Sequence, residues 1–285
     1  MDILADPALV RERCHDWFRQ RAVVGLVPTM GYLHAGHESL LRYAREHADI
    51  VVASVFVNPT QFGPGEDLDA YPRDLEHDAA VARSAGVDIL FTPAPEAMYQ
   101  PDAATWVEVP ALANHLCGLT RPVHFRGVCT IISKLFLLTL PRFAVFGQKD
   151  WQQVAIIRRM VTDLGFPVTI EARPIVREAD GLALSSRNVY LSPSERSQAV
   201  HINLGLTLAA RLAGDGERDA GRILAAVRDY FAGHMPDGAI DYLECVHPER
   251  LTAMARLDEP ALFAAAVRFP GARLIDNRLI GAVPA

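Results

Sequence analysis

The chain has no surplus of positive charge. Its formal net charge is -6, whereas a surface that grips long nucleic acid must neutralise many phosphates with lysine and arginine. Nucleic acid is therefore not an expected partner, and any phosphate handled here is expected on a small molecule. Long apolar runs are also missing. Stretches such as IVVASVFV (50–57) are far too short to cross a bilayer, so no membrane association is expected. The opening residues, MDILADPALVRERCHDWF, lack a basic segment followed by an apolar run, and no secretory signal is expected. Cysteine is scarce: Cys14, Cys117, Cys129 and Cys245 form neither a CxxC pair nor a zinc spacing. They read as reduced thiols of a cytoplasmic protein. No repeat or low-complexity tract is visible.

What the chain does have is apolar material, 50% of 285 residues, enough for a large core. VVGLV (23–27), IVVASVFV (50–57), DILF (88–91) and FAVFG (143–147) are continuous apolar runs. That pattern suits strands of a parallel sheet buried on both faces. Amphipathic segments lie between them. ESLLRYAREHA puts Leu40, Leu41, Ala44 and Ala48 on one face; DLEHDAAVARSAG puts Leu75, Ala79 and Ala82 on another and stops at Gly86. TIISKLFLLTL and WQQVAIIRRMVTDLG follow. This alternation predicts an α/β fold with an open, doubly wound parallel sheet. After SSRN the texture changes. SPSE (192–195) is a capping box that opens a long helix, a second helix runs over about 220–232, and three strand-like segments follow. A first domain over 1–184 and a smaller α+β lid domain over 185–285 are expected.

Five segments carry chemistry. PTMGYLHAGH (28–37) follows the first of these strands and opens a helix, where unpaired N–H groups and the positive dipole end favour phosphate. His34 and His37, three apart, share a face there and can donate to phosphate oxygens. A zinc pair would need a third ligand that is missing. NPTQFGPGEDLDAYPRD (58–74) leaves the next strand at the same sheet edge, and Asn58 and Gln61 are neutral amides suited to a small polar substrate. HFRG (124–127) is weak alone. FGQKDWQQ (146–153) offers Lys149 as a point charge for phosphate. Asp150 there can cap the helix, orient the lysine or help hold a metal, and Gln153 faces the ligand side. DGLALSSRN (180–188) offers Ser185, Ser186 and Arg187 as consecutive donors for a triphosphate.

Together these segments resemble the pantoate–β-alanine ligase family. PTMGYLHAGH resembles its HxGH nucleotide signature. NPTQFGPGEDLDAYPRD, HFRGVCTIISKLF, FGQKDWQQ, VREADGLALSSRNVYLS and ARLIDNRLI match in order, over about residues 23–280. The resemblance implies a Rossmann-like sheet of the HxGH nucleotidyltransferase type. It implies that ATP and pantoate give pantoyl adenylate and pyrophosphate, and that β-alanine then displaces AMP to give pantothenate. By motif position, Met30, Gly31, Tyr32, Leu33, His34, Ala35, Gly36 and His37 would line the ATP site. Gly147, Gln148, Lys149, Asp150, Val176, Leu184, Ser185, Ser186 and Arg187 would complete it. His37, with His34 and Lys149, would be catalytic, and Gln61, Gln153 and Asn58 would meet pantoate and β-alanine. Mg²⁺ and a homodimer are implied; the metal ligands are not. Tyr32 stands for the family's common Ala, Val123 for its Gly and Gln148 for its Glu. Two other readings remain: a transferase of the same fold that keeps the nucleotide in its product, and a non-catalytic nucleotide binder. The neutral amides Gln61 and Gln153 count against the first; retention of His34, His37 and Lys149 counts against the second.

Overall fold

A computed structural model describes residues 1–281. The chain forms two compact units. The first comprises Met1–Asn114, Gly118–Gln148 and Ile156–Arg173; the second comprises His115–Cys117, Lys149–Ala155 and the chain from Pro174 onward.

The first unit is built on a six-stranded parallel sheet in the order β1-β4-β3-β2-β5-β6. Its strands are β1 Asp2–Leu4, β2 Val24–Thr29, β3 Ile50–Val55, β4 Ile89–Phe91, β5 Phe143–Gly147 and β6 Thr169–Arg173. The chain runs from β2 outward to β3 and β4, then returns to β5 on the other side of β2. That reversal makes β2 and β5 the switch point, where loops diverge and a crevice opens at the carboxyl ends. The apolar runs do form the central strands because both faces are covered: Val27, Val51, Ala53, Leu90 and Val145 are buried with Leu40, Leu41 and Ala44 of the helix Ala35–His47. Each of these valines and leucines contributes about 1.5–3 kcal/mol on burial.

Two differences from the sequence reading arise here. The edge strands β1 and β6 and the helix Pro7–Arg19 had not been singled out. In the helix Leu75–Ser84, Ala79 and Ala82 are buried as expected, but Leu75 is 48% exposed and Asp78 is 1% exposed. The helix turns a carboxylate inward because that carboxylate has partners, described below.

The second unit holds a three-stranded antiparallel sheet, β7 Ala239–Val246, β8 Ala261–Arg268 and β9 Arg273–Ile280, in that order. The helices Pro193–Gly214 and Ala220–His234 share one core with it, through Ile202, Leu206, Ile223, Phe231, Phe263 and Ala265. The expected capping box is present: Ser192 Oγ accepts from Glu195 N at 3.3 Å, and Glu195 Oε2 accepts from Ser192 N at 2.7 Å. The α+β character matches expectation. The last stretch of this unit runs from Pro174, ahead of the change in texture at 185, and polar contacts tie the turn before 185 to it. Arg177 is bidentate to Asp276 at 2.6 and 2.9 Å, and Glu178 pairs with Arg196 at 2.7 Å.

The four cysteines are buried and form no disulfide with one another. Burial pushes the Cys14 and Cys129 thiols up to about 12 and Cys245 to about 11, so they stay protonated and unreactive. Among the described residues, no helix is long and apolar enough to cross a membrane.

Candidate active site

The polar residues of the first unit converge where β2 and β3 end. These strands pair in register from Val24↔Ile50 to Thr29↔Val55, so the loops that follow leave the sheet at one level. After β2 the backbone makes two consecutive left-handed steps, Gly31 at φ 87 and Tyr32 at φ 51. Only glycine fits the first: a Cβ there would stand 2.8 Å from Val55 and 2.9 Å from the Asp78 carboxylate. Tyr32 accepts a conformation costly for an L-residue, by about 1–2 kcal/mol. Asp78 offsets that cost. Its carboxylate accepts from Tyr32 N at 3.0 Å and Leu33 N at 2.6 Å, and the neighbouring His77 reaches the Leu33 carbonyl at 2.8 Å. Burial raises the Asp78 carboxyl above its usual value despite the opposing backbone hydrogen bonds.

His34 is the N-cap of the helix Ala35–His47, in place of the usual Ser, Thr or Asp. Its Nδ1 accepts from Gly36 N at 3.1 Å, and His37 Nδ1 accepts from His34 N at 3.3 Å. The two rings stack with centroids 4.0 Å apart. An Nδ1 that accepts a backbone N–H carries no proton, so each neutral ring has its proton on Nε2. The histidines thus act as caps through Nδ1 and carry the ring proton on Nε2.

After β3 the site is made of neutral amides. Asn58 is 1% exposed and Gln61 6%. Asn58 Nδ2 donates to the Gly127 carbonyl and to Gln61 Oε1, both at 3.1 Å. Asn58 Oδ1 accepts from Tyr99 Oη at 2.9 Å, Thr60 Oγ1 at 3.0 Å and Thr60 N at 3.4 Å. Gln61 Nε2 lies 2.9 Å from the Met30 sulfur, at the start of the nucleotide loop. Asn58, expected among the substrate contacts, is hydrogen-bonded within the protein at both ends of its amide. The Gln61 main chain is held as well: its carbonyl accepts from His124 Nδ1 at 2.9 Å and from Arg121 at 3.2 Å, while Arg121 also pairs with Glu66. Gly127 must lack a side chain, since a Cβ would meet Thr60 and Gln61 backbone atoms at 2.6 Å. The other HFRG cation, Arg126, lies 4.7 Å above the Trp106 ring.

Gly147 ends β5 with nothing within 4 Å of where a Cβ would stand, and Gln148 Nε2 reaches the Ala172 carbonyl at 3.4 Å. In the second unit, Lys149 Nζ lies 3.6 Å from Asp150 Oδ2, and the Lys149 carbonyl accepts from Asn277 at 2.9 Å. The paired glutamines divide. Gln152 is buried and spans Cys117 N and the His115 carbonyl at 3.0 and 2.7 Å, whereas Gln153 is half-buried. Leu184 N donates to the Val176 carbonyl at 3.0 Å. Ser185 caps the turn Ser186–Tyr190 by accepting from Arg187 N at 3.3 Å, and Asn188 secures it against Glu178 and the Ala183 carbonyl. Among the described residues, no three His, Cys, Asp or Glu side chains gather as a metal cluster. Asp150, with its side chain 46% exposed, is the carboxylate of the lysine motif.

The sequence reading missed Asp78, Tyr99 and Arg121. Asp78 had a visible signal, a charge on the same helical face as Ala79 and Ala82. Tyr99 and Arg121 had none, because their partners are distant in the chain.

A parallel sheet with a histidine-capped helix at its switch point, beside a cluster of neutral amides, fits a class of enzymes that act on a nucleotide and a small polar acid. The comparisons narrow the class. The family described as pantoate-beta-alanine ligase matches residues 2–279. The pantothenate synthetase of Solidesulfovibrio magneticus is 67% identical over 284 residues, covering 100% of each chain. That of Oleidesulfovibrio alaskensis is 58% identical over 97% of this chain and 99% of its own. The crystal structure of the Thermus thermophilus pantothenate synthetase is 48% identical with a TM-score of 0.92, over 98% of this chain and 99% of that one. A Francisella tularensis pantoate-beta-alanine ligase, complexed with beta-gamma ATP and beta-alanine, is 30% identical with a TM-score of 0.79, over 98% and 97%. The chain belongs to the pantoate–β-alanine ligase family, and it is an enzyme that joins pantoate to β-alanine at the expense of ATP.

Proposed function

We propose that the ligation proceeds through pantoyl adenylate. The pantoate carboxylate attacks the α-phosphorus of ATP, a P–O bond forms and pyrophosphate departs. The β-alanine amine then attacks the acyl carbon, the C–N bond forms, the amine loses its proton and AMP leaves. A free carboxylate is a poor acyl donor because its leaving group would be oxide; AMP is a far better one. No covalent enzyme intermediate is needed, so the protein has to position reactants and stabilise charge.

The observation that carries this reading is the stacked His34–His37 pair at the N-terminus of the helix Ala35–His47, whose capping hydrogen bonds are accepted at Nδ1 and leave the proton of each neutral ring on Nε2. In this reading His37 stabilises charge at the transferred phosphorus, with His34 beside it and the loop Met30–His37 around the nucleotide. Gln61 meets pantoate and is adjacent to β-alanine. Motif position assigns further roles: Gln153 to pantoate; Lys149 to the phosphates as a catalytic cation; and Gly147, Gln148, Asp150, Val176 and Leu184–Arg187 to ATP. Asp150 is the carboxylate that would help hold Mg²⁺, and the ion would supply neutralisation of phosphate charge there. A homodimer, a cytoplasmic location and closure of the second unit as a lid are part of the same proposal.

The test is ATP–pyrophosphate exchange. Exchange that requires pantoate, proceeds without β-alanine and collapses in His37→Ala supports the route. Exchange that needs no acid, or a product that retains the nucleotide, refutes it.

A further inference from the structure

The direction of the Gln61 amide is set from outside the reactant site. An amide presents a donor at one end and an acceptor at the other, and which end faces the reactants decides what it can bind. Gln61 Oε1 is engaged by Asn58 Nδ2 at 3.1 Å, which turns Gln61 Nε2 toward Met30, 2.9 Å away. A thioether is a weak acceptor, so this N–H passes readily to a carboxylate or carbonyl oxygen. The orientation of Asn58 therefore governs that of Gln61. Two main-chain groups favour it: the Gly127 carbonyl takes Nδ2, and Thr60 N gives to Oδ1. The shortest contact to Oδ1 is the Tyr99 hydroxyl at 2.9 Å. Tyr99 is itself held by Lys134, whose Nζ lies 5.1 Å over the ring and donates to the Met98 carbonyl at 2.7 Å.

We propose that Tyr99 is a positioning residue for the acid substrate: its hydroxyl, acting through Asn58, holds Gln61 with the NH₂ end toward pantoate. This inference rests on the reading of Gln61 as a pantoate contact. Tyr99 touches no reactant in this scheme. Its effect should fall on the acid rather than the nucleotide, and should vanish when Gln61 has no amide to orient. Burial raises the Tyr99 phenol above its ordinary value, so the donor persists at neutral and mildly basic pH.

The experiment is a double-mutant cycle with Tyr99→Phe and Gln61→Ala, read by steady-state kinetics in both substrates. Phenylalanine keeps the ring that Lys134 covers and removes only the hydroxyl. Loss of one hydrogen bond predicts a rise in KM for pantoate of about five-fold in Tyr99→Phe. The KM for ATP should be unchanged, and the double variant no worse than Gln61→Ala. An unchanged KM for pantoate in Tyr99→Phe overturns the inference. So does an equal rise in both KM values, or a five-fold loss that persists in full on the Gln61→Ala background. If Gln61→Ala leaves the KM for pantoate untouched, the assignment of Gln61 itself fails and the inference falls with it.

Discussion

The loops after β2 and β3 leave neighbouring parallel strands at one level, yet they hold their polar groups by opposite means. After β2 the working groups belong largely to the backbone and to two capping imidazoles, and a buried anion, Asp78, secures the main chain from behind. After β3 the working group is one neutral side-chain amide, secured by other neutral groups. The difference follows from the ligands proposed for each. A triphosphate is densely charged, and a helix N-terminus answers it with dipoles that need no counter-charge of their own. A hydroxy acid must be recognised in one orientation, and a directed amide discriminates where a free charge would not.

The largest expected effect breaks the β2 side of this comparison. His37→Ala should lower kcat by about 10²–10³-fold, as for loss of a donor at a developing anion, while the KM for pantoate changes little; single-turnover kinetics check this. On the β3 side, Gly127→Ala should lower stability by about 3 kcal/mol, since its Cβ displaces main chain rather than a side-chain tip. It should also raise the KM for pantoate, and denaturant melts with substrate titrations test both. Asp78→Asn should cost about 1–3 kcal/mol, because an amide oxygen cannot serve both Tyr32 N and Leu33 N without turning its NH₂ toward one of them. Its kinetic effect should fall on the KM for ATP alone. If it falls equally on pantoate, the two loops are not separate devices.

The smallest effect concerns pH. The folded Asp78 carboxyl is raised above its unfolded value, so the folded state binds its proton more tightly. That contribution favours folding at low pH and is lost as pH rises through the window just above the ordinary carboxylate value. The difference in thermal midpoint between wild type and Asp78→Asn should therefore shrink as pH rises across this window.

Much of the fold was legible because burial writes itself into composition. The strands β2, β3 and β5 are covered on both faces and read as unbroken apolar runs. β1, three residues long, and β6, Thr169–Arg173 with partly exposed positions, lie at the sheet edges. Pairing defines them more than pattern does. The loop after β2 was legible because it is built from local features: a strand end, a glycine at a left-handed step and histidines one turn apart. The unit boundary was less so, because Arg177–Asp276 spans 99 positions of sequence.

Order along the chain was thus sufficient for the parallel sheet and the helix that His34 and His37 cap. Those features depend on neighbours within a turn or a strand. Only the folded chain decided that Asp78 faces inward, that Asn58 is spent inside the protein and that Tyr99 stands behind Gln61. A buried polar group takes whatever partner the packing of remote segments brings within about 3 Å. No local pattern of residues specifies which segment that will be.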